Sequence, residues 1–169
     1  MLAFGDSLTF GYGVSREFSY PAVLSQQIQR EVINAGISGE ISADGLKRLS
    51  GLLERWQPEL VIICHGGNDV LRRMDGRQTD ANLRAMINLV RGSGAEVVLV
   101  AVPAFGLFPK AARYYSGIAD DTDVPIEMDV LSELMADSSK KSDQVHLNQA
   151  GYRDMALAIE RLLTTEGAI

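Results

Sequence analysis

The chain has 169 residues, of which 46% are hydrophobic and 22% charged, and its formal net charge is −6. That length fits a single domain with one core, spanning residues 1–169, and the composition is that of an ordinary globular protein. The acidic balance, with no block of Lys and Arg, argues against nucleic acid as a partner; Arg72-Arg73 and Lys140-Lys141 are short pairs typical of solvated surface.

Short β-rich runs alternate with helical patterns along the chain. The apolar run Met1–Phe4 predicts a first strand, followed at once by Gly5-Asp6-Ser7-Leu8. A second strand is expected at Val32–Asn34, ahead of Asn34-Ala35-Gly36-Ile37-Ser38-Gly39-Glu40. Next comes a helix whose Leu46, Leu49, Leu53 and Trp56 share one face, with Ser42 as its expected N-cap. The third strand, Leu60–Cys64, runs into His65-Gly66-Gly67-Asn68-Asp69. Leu83, Met86, Ile87 and Val90 mark a helix for which Thr79 is the expected cap and Gly92 or Gly94 the stop. Strands at Val97–Val102 and Val124–Glu127 follow. A last helix carries Tyr152, Met155, Ala156, Ile159, Leu162 and Leu163 on its inner face.

The strand runs are continuously apolar, as strands covered on both faces should be. Strand–helix alternation then implies a mostly parallel sheet with right-handed crossovers and helices on both sides. Ligands bind such sheets beyond the carboxyl ends of the strands, so the segments after strands one, two, three and five should converge. The single cysteine, Cys64, lies inside the third strand and reads as a small buried thiol; alone it excludes an internal disulfide and a multi-cysteine metal site. No stretch is long and apolar enough to cross a bilayer, and no charged segment precedes an apolar one as a secretory signal requires. The first strand starts at Met1 itself, so the compartment stays open: cytoplasmic, or periplasmic or secreted if an N-terminal segment has been removed.

Four segments carry chemistry. Ser7 stands where a buried strand turns and frees backbone N–H groups, a place for a nucleophile, although Gly-Asp-Ser is also ordinary turn chemistry. A serine nucleophile needs a base, and the chain has two histidines, His65 and His146. In Ser142-Asp143-Gln144-Val145-His146 a carboxylate three residues ahead of an imidazole can fold back onto it and fix its tautomer. Asn68 offers a neutral amide donor for a developing oxyanion, and Gly39 or Gly36 a bare N–H. Each segment has a plainer reading as a turn or a cap; Asn68 or Asp69, for example, could cap the helix that follows. His65 reads as a core or rim histidine.

Together, Gly5-Asp6-Ser7-Leu8, Gly39, Gly67-Asn68-Asp69 and Asp143-x-x-His146 resemble the four blocks of the SGNH hydrolase (GDSL esterase/lipase) superfamily, in order and spacing, over nearly the whole chain. The stretch Asn34–Gly39 followed by Leu46 resembles the thioesterase I/lysophospholipase L1/arylesterase branch. The resemblance implies a three-layer α/β/α flavodoxin-like fold with a five-stranded parallel sheet. It implies Ser7 as nucleophile, His146 as base and Asp143 as its orienting acid. The oxyanion hole would be formed by the N–H groups of Ser7 and Gly39 and the side-chain amide of Asn68. The expected reaction is hydrolysis of a small-molecule acyl ester or thioester, with no cofactor and no metal.

Two other readings stay open: a carbohydrate O-deacetylase of the same superfamily, and a non-catalytic flavodoxin-like binding module. Against the latter, no Gly-rich phosphate loop follows the first strand. The aromatics Tyr12, Phe105, Phe108, Tyr114 and Tyr115 could line an acyl pocket or a sugar cleft, and Ala104–Phe108 could form a lid or a contact surface. Oligomeric state is not expressed in the pattern.

Overall fold

The computed structural model describes residues 1–104 and 110–169. Its frame is a five-stranded, wholly parallel sheet made of β1 (Leu2–Gly5), β2 (Ile33–Gly36), β3 (Leu60–Cys64), β4 (Glu96–Val100) and β7 (Ile126–Glu127), in the order β2-β1-β3-β4-β7. A two-stranded antiparallel ribbon, β5 (Pro103–Ala104) with β6 (Lys110–Ala111), stands apart from it. The expected five-stranded parallel sheet is therefore present, and the strand order is flavodoxin-like. Ends differ slightly from expectation. The second strand runs to Gly36, because Asn34, Ala35 and Gly36 pair with Ala3, Phe4 and Gly5 of β1.

The place of β1 inside the sheet, between β2 and β3, explains the apolar opening of the chain. Leu2, Ala3 and Phe4 are wholly buried, as are Val61 and Ile62 in β3 beside them. Two helical layers supply the cover. Helix α2 (Tyr20–Ile28) packs on α8 (Gln149–Thr165), and α3 (Ser42–Trp56) packs on α5 (Gly76–Gly92), which is what right-handed crossovers in this strand order require. Two shorter helices complete the layers, α6 (Tyr114–Thr122) against α5 and α7 (Val130–Ala136) against α8. The stripe Leu83, Met86, Ile87 and Val90 is fully buried, and so are Tyr152, Met155, Ala156, Ile159 and Leu163. Trp56 departs from its expected face: it sits at the end of α3, 40% exposed, with the Arg55 guanidinium 4.8 Å over its ring. Phe105, Phe108 and the rest of the expected lid or contact stretch beyond Ala104 lie outside the described residues.

Neither expected helix cap forms. The residue preceding α3 is Ile41, and the cap of α5 is Asp75, whose Oδ1 accepts the Arg77 N–H at 3.0 Å. Both hydroxyls turn instead to a buried carboxylate. Asp69 Oδ2 accepts the Ser42 N–H at 2.8 Å, while Oδ1 accepts the Ser42 hydroxyl at 2.5 Å and the Thr79 hydroxyl at 3.3 Å. Asn82 Nδ2 donates to Ser42 Oγ at 2.9 Å. Asp69 is 2% exposed, so it needs donors more than the helix ends need acceptors. The carboxylate thereby joins α3, α5 and α4 (Gly67–Leu71) beneath the loops at the carboxyl edge of the sheet.

Removing this acceptor leaves the Ser42 N–H and hydroxyl without a partner, each worth roughly 1–3 kcal/mol, and leaves the Thr79 hydroxyl only its 3.5 Å bond to Asp75 O. Asp69→Ala is therefore expected to lower the unfolding free energy by about 4 kcal/mol in urea titration, far beyond the change from an exposed control such as Asp44→Ala.

Candidate active site

The turn after β1 places Ser7. Asp6 caps the short helix α1 (Ser7–Phe10): its Oδ1 accepts the Leu8 N–H at 3.1 Å. Burial pushes the Asp6 carboxyl above its ordinary range, against the bond from Leu8. Ser7 is the first residue of α1, and first-turn N–H groups have no acceptor within their own helix. Its side chain is nearly buried, at 8% exposure.

The loop before α8 brings the imidazole. It is a tight reversal: Lys141 bridges Leu147, the Ser142 N–H donates to His146 O at 3.0 Å, and Asn148 Oδ1 caps α8 through the Gly151 N–H at 3.1 Å. Asp143 Oδ1 accepts the N–H groups of Val145 (2.8 Å) and His146 (2.9 Å), leaving Oδ2 free to meet His146 Nδ1 at 2.7 Å. His146 Nε2 lies 3.0 Å from Ser7 Oγ. The two loops can approach because Gly13 has no side chain; a Cβ there would strike Ser142 Oγ.

Protonation follows from this geometry. Burial works against charge on Asp143, but the bonds from the Val145 N–H and from His146 outweigh it and hold the carboxyl below its usual range. An ionised carboxylate only accepts, so the imidazole hydrogen sits on Nδ1 and the Nε2 lone pair faces the serine hydroxyl. Tyr12 steadies the ring from one side, with centroids 4.4 Å apart and planes at 36°. The Tyr12 carbonyl is itself held by the Tyr152 hydroxyl at 2.9 Å.

The segments after β2 and β3 meet beside this line. Gly39 adopts φ +81° in an exposed turn where an added Cβ would touch nothing, so a side chain there would be resisted by the backbone alone. Among the described residues its N–H has no acceptor. Asn68 lies in the first turn of α4, and its Nδ2 donates to the carbonyl of Glu40, the residue after Gly39, at 3.0 Å. A primary amide has two hydrogens, so one remains for a ligand. The β3 turn also abuts the β1 turn: an added Cβ on Gly67 would lie 3.1 Å from Asp6 Oδ2. Gly36 is part of β2, packed against the backbone of Phe10, and is not in the exposed turn with Gly39.

His65 proves to be a wholly buried histidine. Its Nδ1 accepts the Gly66 N–H at 2.9 Å, and its Nε2 lies 3.1 Å from Glu40 Oε2. Gly66 sits at φ +103°, where an added Cβ would come within 3.4 Å of the Tyr114 and Tyr115 hydroxyls. Glu40 and Arg48 escape sequence reasoning, which gives neither a role. The one signal of their packing is Gly45, a glycine inside a helix, where chain flexibility weakens the helix unless closeness demands it.

A model of the GDSL-like lipase/acylhydrolase family matches residues 3–153. The chain belongs to this family. Its sequence is 35% identical over 157 residues to the thioesterase 1/protease 1/lysophospholipase L1 of Escherichia coli, covering 88% of this chain and 76% of that one. It is 36% identical over 131 residues to an arylesterase of Vibrio mimicus, covering 68% and 66%. The crystal structure of TesA superposes with a TM-score of 0.88 at 28% identity over 97% of both chains. The fold is thus that of an SGNH hydrolase, and the family places the chain among the carboxylic ester hydrolases. A non-catalytic binding module, the other reading of the sheet, gives way to this membership. No helix among the described residues is long and apolar enough to cross a membrane.

Because the Asp143 carboxyl titrates lower when folded than unfolded, its stabilising bonds exist in full above the ordinary carboxylate value. They are lost as the pH falls through the folded value. The stability gap between the protein and Asp143→Asn, followed by urea titration from pH 7 to pH 3, is expected to stay constant at neutral pH and to close only at the acid end.

Proposed function

We propose that this protein cleaves carboxylic esters or thioesters through an acyl-enzyme on Ser7, within one hydrolase domain spanning residues 1–169. The observation that carries the reading is the unbroken hydrogen-bonded line from Asp143 through His146 to Ser7, with separations of 2.7 and 3.0 Å.

In this mechanism His146 Nε2 takes the Ser7 proton as Oγ attacks the acyl carbonyl. The imidazolium so formed is stabilised by Asp143, which remains ionised. The oxyanion is received by the N–H groups of Ser7 and Gly39 and by the second amide hydrogen of Asn68, each donor worth about 3 kcal/mol in the transition state. His146 then gives its proton to the leaving alcohol or thiol. A water molecule enters, loses a proton to the same nitrogen and attacks the acyl-enzyme; as the Oγ–acyl bond breaks, His146 returns that proton to Ser7 Oγ and the acid leaves. These steps use protein groups and water only. A groove of about 400 Å³ beside α1 is lined by Phe10, Gly11, Val14, Arg16, Asn34 and Gly36 and holds none of the proposed catalytic residues, so the substrate proposed is a small acyl ester or thioester, with no pocket assigned to its acyl chain. The thioesterase, lysophospholipase and arylesterase names of the relatives fit a substrate of this kind.

Ser7→Ala is expected to lower kcat for short p-nitrophenyl esters by at least about 10⁴-fold and to abolish covalent labelling by a fluorophosphonate, with the circular dichroism spectrum unchanged. Retained turnover in that variant would overturn the assignment. Asn68→Ala is expected to lower kcat by about 10²-fold with little change in KM, because its bond strengthens as charge develops.

A further inference from the structure

The Glu40 carboxylate is a three-way tie among the loops that carry the proposed oxyanion donors. Its side chain is 6% exposed. Oε1 accepts Arg48 Nε at 2.7 Å, and Oε2 accepts Arg48 Nη2 at 2.6 Å and faces His65 Nε2 at 3.1 Å. Arg48 extends the tie to the sheet. Its Nη2 also donates to Ala35 O at 2.9 Å and to Gly5 O at 3.3 Å, and its guanidinium lies 4.4 Å over the Phe4 ring. His65 is pinned at its other end, since its carbonyl accepts the Tyr115 hydroxyl at 2.6 Å.

The chain positions give these contacts their consequence. Gly5 is two residues before Ser7, Glu40 directly follows Gly39, and His65 is three residues before Asn68. Through Arg48 on one side and His65 on the other, the Glu40 carboxylate thus links the ends of β1, β2 and β3. Its own backbone carbonyl takes one hydrogen of Asn68, which leaves the amide a single orientation for the other. Gly45 leaves the room this requires, because a Cβ there would collide with His65 Nε2. The imidazole has one workable tautomer. Nδ1 accepts from the Gly66 N–H, so the ring hydrogen is on Nε2 and points to Glu40.

We infer that Glu40, Arg48 and His65 are positioning residues that set the geometry of the oxyanion hole, acting on the transition state rather than on substrate binding. The inference rests on the proposed roles of Ser7, Gly39 and Asn68. Its physical basis is that electrostatic stabilisation requires donors held in place before charge develops, and that a displacement of about 1 Å can cost 10²-fold in rate.

The test compares Glu40→Gln, His65→Leu and His65→Gln with the unchanged protein. The readouts are kcat and KM on p-nitrophenyl acetate, the rate constant for fluorophosphonate labelling, and the melting temperature, with all assays run well below the lowest melting point. Glu40→Gln and His65→Leu are expected to lose at least about tenfold in kcat with KM within about twofold, and labelling should slow in parallel. His65→Gln restores an N–H toward Glu40 and is expected to recover most of the loss. Unchanged kcat in the two disruptive variants, a loss expressed in KM, or a His65→Gln variant no better than His65→Leu would overturn the inference. If Glu40→Gln does not fold, the two His65 variants decide alone. Ser7→Ala, run alongside, separates the failures: turnover there removes the serine mechanism itself, whereas an inactive Ser7→Ala beside a fully active Glu40→Gln removes only the tie.

Discussion

The site depends on the space left by a missing side chain at Gly5. A Cβ at this position would drive into the Cys64 carbonyl and the Thr9 hydroxyl. Because it is absent, β1 can stay paired to β3 up to its last residue, and the chain can turn into α1 immediately afterwards. The nucleophile candidate therefore stands on the edge of a rigid, dry sheet rather than on a free loop. Rigidity matters because attack on an acyl carbon and capture of the resulting charge both require groups held within a fraction of an ångström.

Charge is distributed around this turn in two separate systems. On one side, Asp143 polarises His146 and remains partly open to water, with 44% of its side chain exposed. On the other, Glu40 is nearly enclosed. Burial opposes its charge, and the hydrogen bonds from His65 and Arg48 outweigh burial and keep its carboxyl below the ordinary range. The exposed pair sits on a tight loop held by its own hydrogen bonds. The enclosed group belongs to the frame, where a change in protonation would disturb three strand ends at once. A further buried carboxylate, Asp69, joins α3, α4 and α5 in the same manner.

The two histidines illustrate how similar side chains part company. His146 has one nitrogen on a carboxylate and the other on a hydroxyl at the surface of the turn, with an aromatic ring against its face. His65 also has a nitrogen near a carboxylate, but its second nitrogen is consumed by the backbone of the next residue and no solvent reaches it. The first arrangement leaves a ring nitrogen facing a hydroxyl, as the proposed base requires, and the second has both ring nitrogens taken by protein groups.

The sequence by itself determined the layers, the parallel character of the sheet and the addresses of the chemistry. Strand runs without alternation can only be buried on both faces, and helices between them force crossovers, so the segments carrying the proposed site residues Ser7, Gly39, Asn68 and His146 were expected at one edge; the structure brings Ser7 to His146 and Asn68 to the residue after Gly39. The Asp143–His146 contact was equally legible, since the two loop residues between them can scarcely separate them. Tertiary structure alone decided the contacts made across the chain. Ser42 and Thr79 look like helix caps in isolation, yet a buried carboxylate from another element outcompetes the helix ends. Nothing in the pattern marks Glu40 or Arg48, yet they pair with each other, one beside His65 and the other against the Phe4 ring. Local pattern reports what a backbone segment prefers; which polar groups must find each other is fixed only when distant segments exclude water together.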